Sequence, residues 1–324
     1  MTICKLMQPT FSIIIPVYNL GAMACKAIDS CIGQQGIDSK DFEIIVINDG
    51  STDNSGKYLD SYKQISNITI LHQQNQGLSA TRNNGLKIAK GRYILFLDGD
   101  DWLAPDALQQ LMPHLGVSLL VFPMIYYFGQ EHQELREYGL EERTYNRDDF
   151  LHCTLGRKKF HIIPSPNKCY CRKTLLEQDV QFVTGILHED NPFFIKAIYS
   201  FPSIRYIDAP IYYYRQNRTG SITSSCSIRN FYGVIAGNKE IVAITQNRNK
   251  DVNFLLANLH VFQVLANYSD AKDRDIVFQY YRCLSTKMVL LSLLLHSTFH
   301  LRHFIRITLL LLDPTVLNSI VKML

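Results

Sequence analysis

FSIIIPVYN, residues 11–19, is a run of β-branched and aromatic side chains that gives way to an exposed-type polar end, Tyr18 and Asn19. Three runs of the same kind follow it: FEIIVIN at 42–48, ITILH at 68–72 and RYILFLD at 92–98. Stretches of helical character separate them, over Leu20 to Gln34, Asn54 to Ile65 and Leu78 to Ala89, and another follows from Pro105 to His114. A strand buried on both faces reads as a continuous apolar run, so the pattern predicts an α/β fold whose sheet is mixed, mostly parallel and flanked by helices. In open sheets of this kind ligands bind beyond the carboxyl ends of the strands. The loops that matter are then PVYN, NDGSTDNS and DGDDW.

Composition narrows the function classes. The 324 residues are 47% hydrophobic and 19% charged, enough for one large domain or two smaller ones. A net charge of +4, with no interleaving of basic and aromatic residues, gives no footprint for nucleic acid, and none is expected as a partner. The opening MTICKLMQPTFSIII lacks the basic, apolar and small-residue regions of a secretory signal, which predicts a cytoplasmic chain with reduced thiols. Cys169 and Cys171 lack a second Cys or His pair at zinc spacing, so the eight cysteines read as small core residues.

The fourth run ends in three carboxylates, YILFLDGDDWLAP, with Asp98, Asp100 and Asp101 in four positions. A solvated turn is the plain reading. A calcium loop fails, because Trp102 stands at its fifth position and Gln109 at its twelfth. An aspartyl phosphatase is a weaker fit, since the cluster follows the fourth strand and no Thr comes after it. The remaining reading is a divalent metal held by one or two carboxylates together with the phosphate oxygens of a nucleotide.

Four segments in order, SIIIPVYN, IIVINDGSTDNS, HQQNQGLSATRNNGL and GRYILFLDGDDWLAPDAL, resemble the nucleotide-sugar half of family 2 glycosyltransferases of GT-A fold. PNKCYCRKTLL, VTGILHEDNPFFIKAI and IDAPIYYYRQNRTGSIT are similar to the acceptor half of bacterial surface-polysaccharide members. The resemblance runs from Ser12 to Thr223. It implies an inverting transfer of a hexose or N-acetylhexosamine from a UDP-sugar to a glycan or lipid-linked glycan, with Mn²⁺ or Mg²⁺ as cofactor.

The resemblance also implies residue roles. Pro16, Tyr18 and Asp49 would lie around the nucleobase, with Arg82 helping to fix it, and Asn19 would belong to the same nucleotide-sugar site. Asp98 and Gly99 would lie toward the nucleotide, Asp98 and Asp100 toward the metal, and Asp101 would steady the loop. Asp190 would be the catalytic base, supported by Glu189. Arg215 and Ser221 would lie on a loop near the diphosphate. Trp102, His188 and Lys168 are candidates for the acceptor side. Asn48 stands where many members carry a second Asp, which leaves no role for a carboxylate there. A non-catalytic family member that organises a membrane synthesis complex is the alternative.

The chain is read as a GT-A domain over residues 1–226, divided near 115 into donor and acceptor halves, followed by a helical region over 227–324. From Met288 to Leu312 the chain is strongly apolar, with Ser292, His296, His300, His303 and Arg306 forming a polar stripe at helical spacing. No acidic residue falls between Asp275 and Asp313, whereas Arg282, Lys287, Arg302 and Arg306 are basic. Both an interfacial helix on the inner face of the plasma membrane and a helix packed on the domain fit this pattern. The apolar stretches are shorter than the ~20 residues of a membrane span.

Overall fold

In the computed structural model the four apolar runs form strands β1 (Phe11–Val17), β2 (Phe42–Asp49), β3 (Ile68–Gln73) and β4 (Tyr93–Phe96). They pair in parallel in the order β3-β2-β1-β4, with Phe11 opposite both Phe42 and Tyr93. The described residues are 8–129, 132–217, 228–266, 271–296, 301–312 and 314. Every residue of β1 and all but Glu43 of β2 are buried, whereas β3, at the sheet edge, exposes much of its length.

Helices α1 (Met23–Ile32), α2 (Ser55–Asp60), α3 (Leu78–Ile88) and α4 (Ala107–Leu111) follow these strands. All four are shorter than the sequence predicts, α2 and α4 most of all. In α2 the Ser61 hydroxyl donates to the Tyr58 carbonyl at 2.6 Å, which favours a turn over a further helical residue. After α4, Pro113 has no N–H to give, and Met112–His114 tightens into a 3₁₀ turn.

Beyond α4 the pattern is mixed. Strands β5 (Trp102–Leu103), β6 (Leu119–Val121), β7 (Met124–Gly129), β8 (His132–Arg136), β9 (Thr144–Tyr145), β10 (Lys168–Cys171), β11 (Ile204–Tyr206) and β12 (Tyr212–Arg215) complete two sheets. The larger has the order β3-β2-β1-β4-β10-β6-β11-β9, in which β10 runs antiparallel to β4 and β6. The smaller, β5-β12-β7-β8, lays Tyr213 of β12 beside Trp102 of β5. The residues after the carboxylate run are thereby tied to a segment more than a hundred positions later.

The chain divides into two compact units, and the division is not a single cut near 226. One comprises Met1–Arg147, His161–Gly185 and Phe193–Arg218; the other comprises Asp148–Phe160, Ile186–Pro192 and Thr219–Leu324. Helices α5 (Arg147–Thr154), α6 (Arg172–Glu177), α7 (Asp190–Ser200), α8 (Ile228–Thr245), α9 (Lys250–Ala266), α10 (Ala271–Arg282), α11 (Leu284–Leu295) and α12 (Leu301–Leu312) complete the described secondary structure. In the second unit α9 packs against α8, α10, α11 and α12. Of the cysteines, Cys31 and Cys169 are core residues as expected; Cys283 is exposed, which departs from that reading.

Helix α3 lies close on the sheet because Gly85 has no side chain. A Cβ there would come within 2.4 Å of Ile14 Cγ2, a fully buried side chain with little freedom to yield. Ala raises helix propensity by roughly 1 kcal/mol, and overpacking a core costs about 1–3 kcal/mol. Gly85→Ala is therefore expected to lower the urea midpoint, and a raised midpoint would show that the α3–β1 contact is looser than described.

Candidate active site

Loops at the carboxyl ends of β1 and β2 interlock before any ligand is considered. Asn19, at φ +50°, donates its N–H to Ser51 Oγ at 3.0 Å and accepts from Thr52 N–H through Oδ1 at 2.8 Å. The N–H groups of Leu20 and Gly21 donate to Ser55 Oγ at 3.0 and 2.8 Å, and Gly21 N–H also donates to Asp53 Oδ2 at 3.0 Å. Tyr18, at 49% relative exposure, projects from this joint with its ring available to a ligand.

Asp49 organises the third loop. Its Oδ1 accepts from Gln73 Nε2 and from Gln76 N–H, each at 2.8 Å, and its Oδ2 accepts from Gly77 N–H at 2.9 Å. A carboxylate has about four lone-pair sites, so the three bonds leave room for one more donor. The departure at Asn48 also has a structural account. Asn48 Oδ1 accepts from Ser51 N–H at 3.1 Å and its Nδ2 meets His72 Nδ1 at 2.9 Å, while His72 Nε2 meets Asp60 Oδ1 at 2.9 Å. The amide donates to Nδ1 and so leaves the ring proton on Nε2, facing Asp60. A carboxylate at position 48 could not make that donation.

The carboxylate loop after β4 is held from three sides. Gly99 is required there, because a Cβ would fall 2.8 Å from the Pro16 carbonyl oxygen and 2.7 Å from Leu20 Cδ1. This contact gives Pro16 and Gly99, both of which are buried, a packing role in the loop. Asp101 is fully buried: Tyr212 O–H donates to its Oδ2 at 2.6 Å and Arg215 N–H to its Oδ1 at 2.8 Å. The Tyr212 oxygen in turn accepts from Asp98 N–H at 3.2 Å. Burial, then the charges of Asp100 and Asp98, push the Asp101 carboxyl well above the usual range, against the opposing pull of Tyr212 and Arg215. Asp101 thus takes the loop-steadying role expected of it.

Arg82 corrects an expectation. It is 1% exposed, on the inward face of α3, and its guanidinium pairs with Asp98 Oδ1 at 2.6 Å while lying 5.0 Å from the Phe182 ring. The structure turns it toward Asp98 rather than toward the open loop ends. Phe182 is itself pinned by the Asn83 amide, which accepts from its N–H at 3.0 Å and donates to its carbonyl at 2.9 Å.

Trp102 and Lys168 are also corrected. Trp102 is 8% exposed, stacked on Tyr213 at 5.3 Å and 9°, with Lys26 Nζ 3.1 Å from its ring centroid. No open face remains for a sugar. Lys168 is completely buried, its ammonium donating to the carbonyls of Ile162 and Pro164 at 2.5 and 2.6 Å and to Asn167 Oδ1. It organises the turn before β10 and has no route to an acceptor.

Arg215 sits at the end of β12, where Nε donates to the Asp100 carbonyl at 2.8 Å. Its charge and, more strongly, burial lower the Lys26 ammonium from its ordinary value. Tyr212 and Lys26 were not singled out by sequence. The available signal was the YYYR run, whose alternation puts Tyr212 and Tyr214 on one face of a strand and Tyr213 and Arg215 on the other. Ser221 lies outside the described residues.

The second unit contains the other candidates. Glu189 is buried, and the half-buried Asp190 opens α7, where the helix dipole favours a negative charge. His188, at φ +62°, accepts at its carbonyl from Asn191 N–H at 3.2 Å. Burial pulls its imidazole down, and Asp190 opposes this.

Asp98 and Asp100 are half-buried hard oxygen donors in one loop, a set that suits Mg²⁺ or Mn²⁺. Among the described residues no three His, Cys, Asp or Glu side chains cluster as a closed metal site. The donor set therefore fits a metal that keeps waters or phosphate oxygens in its remaining positions.

The glycosyl transferase family 2 model matches residues 12–176, which contain the loops after β1, β2, β3 and β4 but not Glu189, Asp190 or Arg215. The chain belongs to glycosyl transferase family 2. Among curated relatives, the glycosyltransferase EpsJ of Bacillus subtilis (strain 168) is 31% identical over 223 residues, 65% of this chain and 62% of its own. The poly(ribitol-phosphate) beta-glucosyltransferase of Bacillus spizizenii is 30% identical over 240 residues, 69% of this chain but 35% of its own. The chain therefore spans less than two thirds of either relative. Among solved structures, Staphylococcus aureus TarS 1–349 in complex with UDP-GlcNAc matches with TM-score 0.67 and 21% identity, over 95% of this chain and 88% of that one. The family 2 chain has the GT-A fold expected from its motifs.

Tyr212→Phe removes one of the two bonds to the buried Asp101 carboxyl and the acceptor of Asp98 N–H. A buried group left without its partner costs about 1–3 kcal/mol. A urea midpoint lowered by that amount is expected, and an unchanged midpoint would mean that the hydroxyl does not hold this loop.

Proposed function

We propose that the chain is an inverting, metal-dependent glycosyltransferase that moves a hexose or N-acetylhexosamine from a UDP-sugar to a hydroxyl of a bacterial surface glycan. The observation that carries this reading is the Asp98–Asp101 loop, braced by Arg82, Tyr212 and Arg215 in a family 2 chain. UDP is favoured because the structural neighbour TarS binds UDP-GlcNAc. A glycan-type acceptor is favoured because a relative acts on poly(ribitol phosphate).

Tyr18 and the last acceptor site of Asp49 serve the nucleobase in this reading, Asp49 taking the imide N–H of uracil. Asp100 and Asp98 would hold Mn²⁺ or Mg²⁺, with Arg82 fixing the orientation of Asp98. When bound, the metal supplies charge neutralisation at the departing diphosphate. The Arg215 guanidinium adds positive charge to the same side of the loop, and Ser221 is assigned to the segment that follows.

Asp190 is the general base, with Glu189 and His188 as its neighbours. It takes the acceptor hydroxyl proton as the new oxygen–carbon bond forms on the face opposite the diphosphate. The anomeric carbon–oxygen bond breaks, and its electron pair leaves with UDP. The Glu-Asp motif and the position of Asp190 at the head of α7 support this assignment.

Nucleotide release from UDP-, GDP- and dTDP-sugars, measured with Mn²⁺ and with EDTA, tests the reading. Release from a UDP-sugar that EDTA abolishes is expected, and no metal-dependent release from any donor would remove the proposal. Asp100→Ala should abolish the metal-dependent part of donor binding measured by calorimetry. Asp190→Asn should bind donor normally while transfer falls by roughly 10²–10⁴-fold, the usual contribution of a general base. Normal transfer by that variant would reject the base assignment.

A further inference from the structure

Helices α11 and α12 present an apolar side to solvent that the proposed transfer reaction does not use. On α11, Met288, Val289, Leu291 and Leu295 are exposed, Met288 by 59% and Leu295 by 69%. At about 100° per residue these positions share one side of the helix, while Leu290 and Leu293 face the packed interior. On α12, Phe304, Ile305 and Leu312 are exposed, Leu312 by 66%, and Ile307 and Leu310 are buried. Both helices are therefore apolar on two sides, and only one side is covered.

Charge says what the open side fits. Arg306 is exposed next to Ile305, and Lys287 stands next to Met288. Lys287 Nζ donates to the Leu312 carbonyl at 3.3 Å, which brings the start of α11 to the end of α12 and sets an ammonium beside the most exposed part of α12. From Ile276 to Leu312 the sequence has Arg282, Lys287, Arg302 and Arg306 and no acidic residue. A face that buried itself against another folded surface would have no reason to exclude carboxylates from an entire helical hairpin. Exposed apolar side chains beside the cations Lys287 and Arg306 match a bilayer surface with anionic headgroups. Among the described residues no helix is long and apolar enough to cross a membrane, so the contact is peripheral.

We infer that the exposed side of α11 and α12 docks the protein on an anionic lipid surface, with Leu295, Ile305 and Leu312 entering the headgroup boundary and Lys287 and Arg306 meeting lipid phosphate. Docking would hold the chain beside lipid-linked substrates, and it does not depend on the donor or the base assignment.

Co-sedimentation of the full chain with vesicles tests this. Binding to phosphatidylcholine vesicles containing phosphatidylglycerol, and little binding to phosphatidylcholine alone, is expected. Leu295→Glu combined with Ile305→Glu should abolish binding, and Arg306→Glu should weaken it on the order of tenfold or more, with added salt acting in the same direction. Circular dichroism keeps loss of fold apart from loss of docking, since all three residues are solvent-exposed. No binding to anionic vesicles would overturn the inference. Equal binding to neutral vesicles would overturn its electrostatic part. Dissociation of an oligomer by the Leu295 and Ile305 changes, without vesicle binding by the parent chain, would assign the face to a second copy.

Discussion

Three carboxylates within four residues, one of them wholly inside the protein, set the constraint that the donor-side loops answer to. Asp101 is fully buried in the same loop as Asp98 and Asp100, so burial and their charges both oppose its ionisation. The responses come from distant parts of the chain: Tyr212 and Arg215 from β12, Arg82 from α3, and a close approach to the β1 loop that only Gly99 permits. The loop is braced, and its half-buried carboxylates Asp98 and Asp100 are the oxygen donors that the proposed function assigns to a divalent cation.

Rigidity on this side of the molecule is built from side chain to backbone bonds rather than from regular structure. Ser51, Ser55 and Asp53 take N–H groups from Asn19, Leu20 and Gly21, while Asp49 takes two from the following loop. Asn19 and Asp49, which read as ligand contacts in sequence, are also structural acceptors here. Holding a binding loop in its working shape before the ligand arrives reduces the ordering cost of binding. That gives a physical reason for so many Ser, Asn and Asp residues in NDGSTDNS, where solvation alone would not need them.

The four parallel strands and their helices were legible because a doubly buried strand has no polar positions, and FSIIIPV and FEIIVI show none but Ser12 and Glu43. Those two exceptions pair with each other, Ser12 Oγ donating to Glu43 Oε1 at 2.6 Å. The carboxylate loop was legible from its charge. What remained hidden was pairing at long range. β5 is two residues, Trp102 and Leu103, too short for any periodicity, yet its union with β12 decides where Tyr212 and Arg215 go. Arg82, Lys168 and Trp102 were misplaced for a related reason: a cation or indole looks the same in sequence whether it faces solvent or is satisfied inside. Lys168 is surrounded by carbonyls, Arg82 is paired with Asp98, and Trp102 is covered by Tyr213 and Lys26. Only the packing reveals the partner.

The most direct measurement is a Mn²⁺ titration of the intact protein followed by electron paramagnetic resonance, with and without UDP. The proposed function, in which the carboxylate loop shares its metal with a diphosphate, predicts weak uptake by the protein alone and one tightly bound Mn²⁺ when UDP is present. No Mn²⁺ uptake in the presence of UDP, or equal uptake without it, would contradict the account.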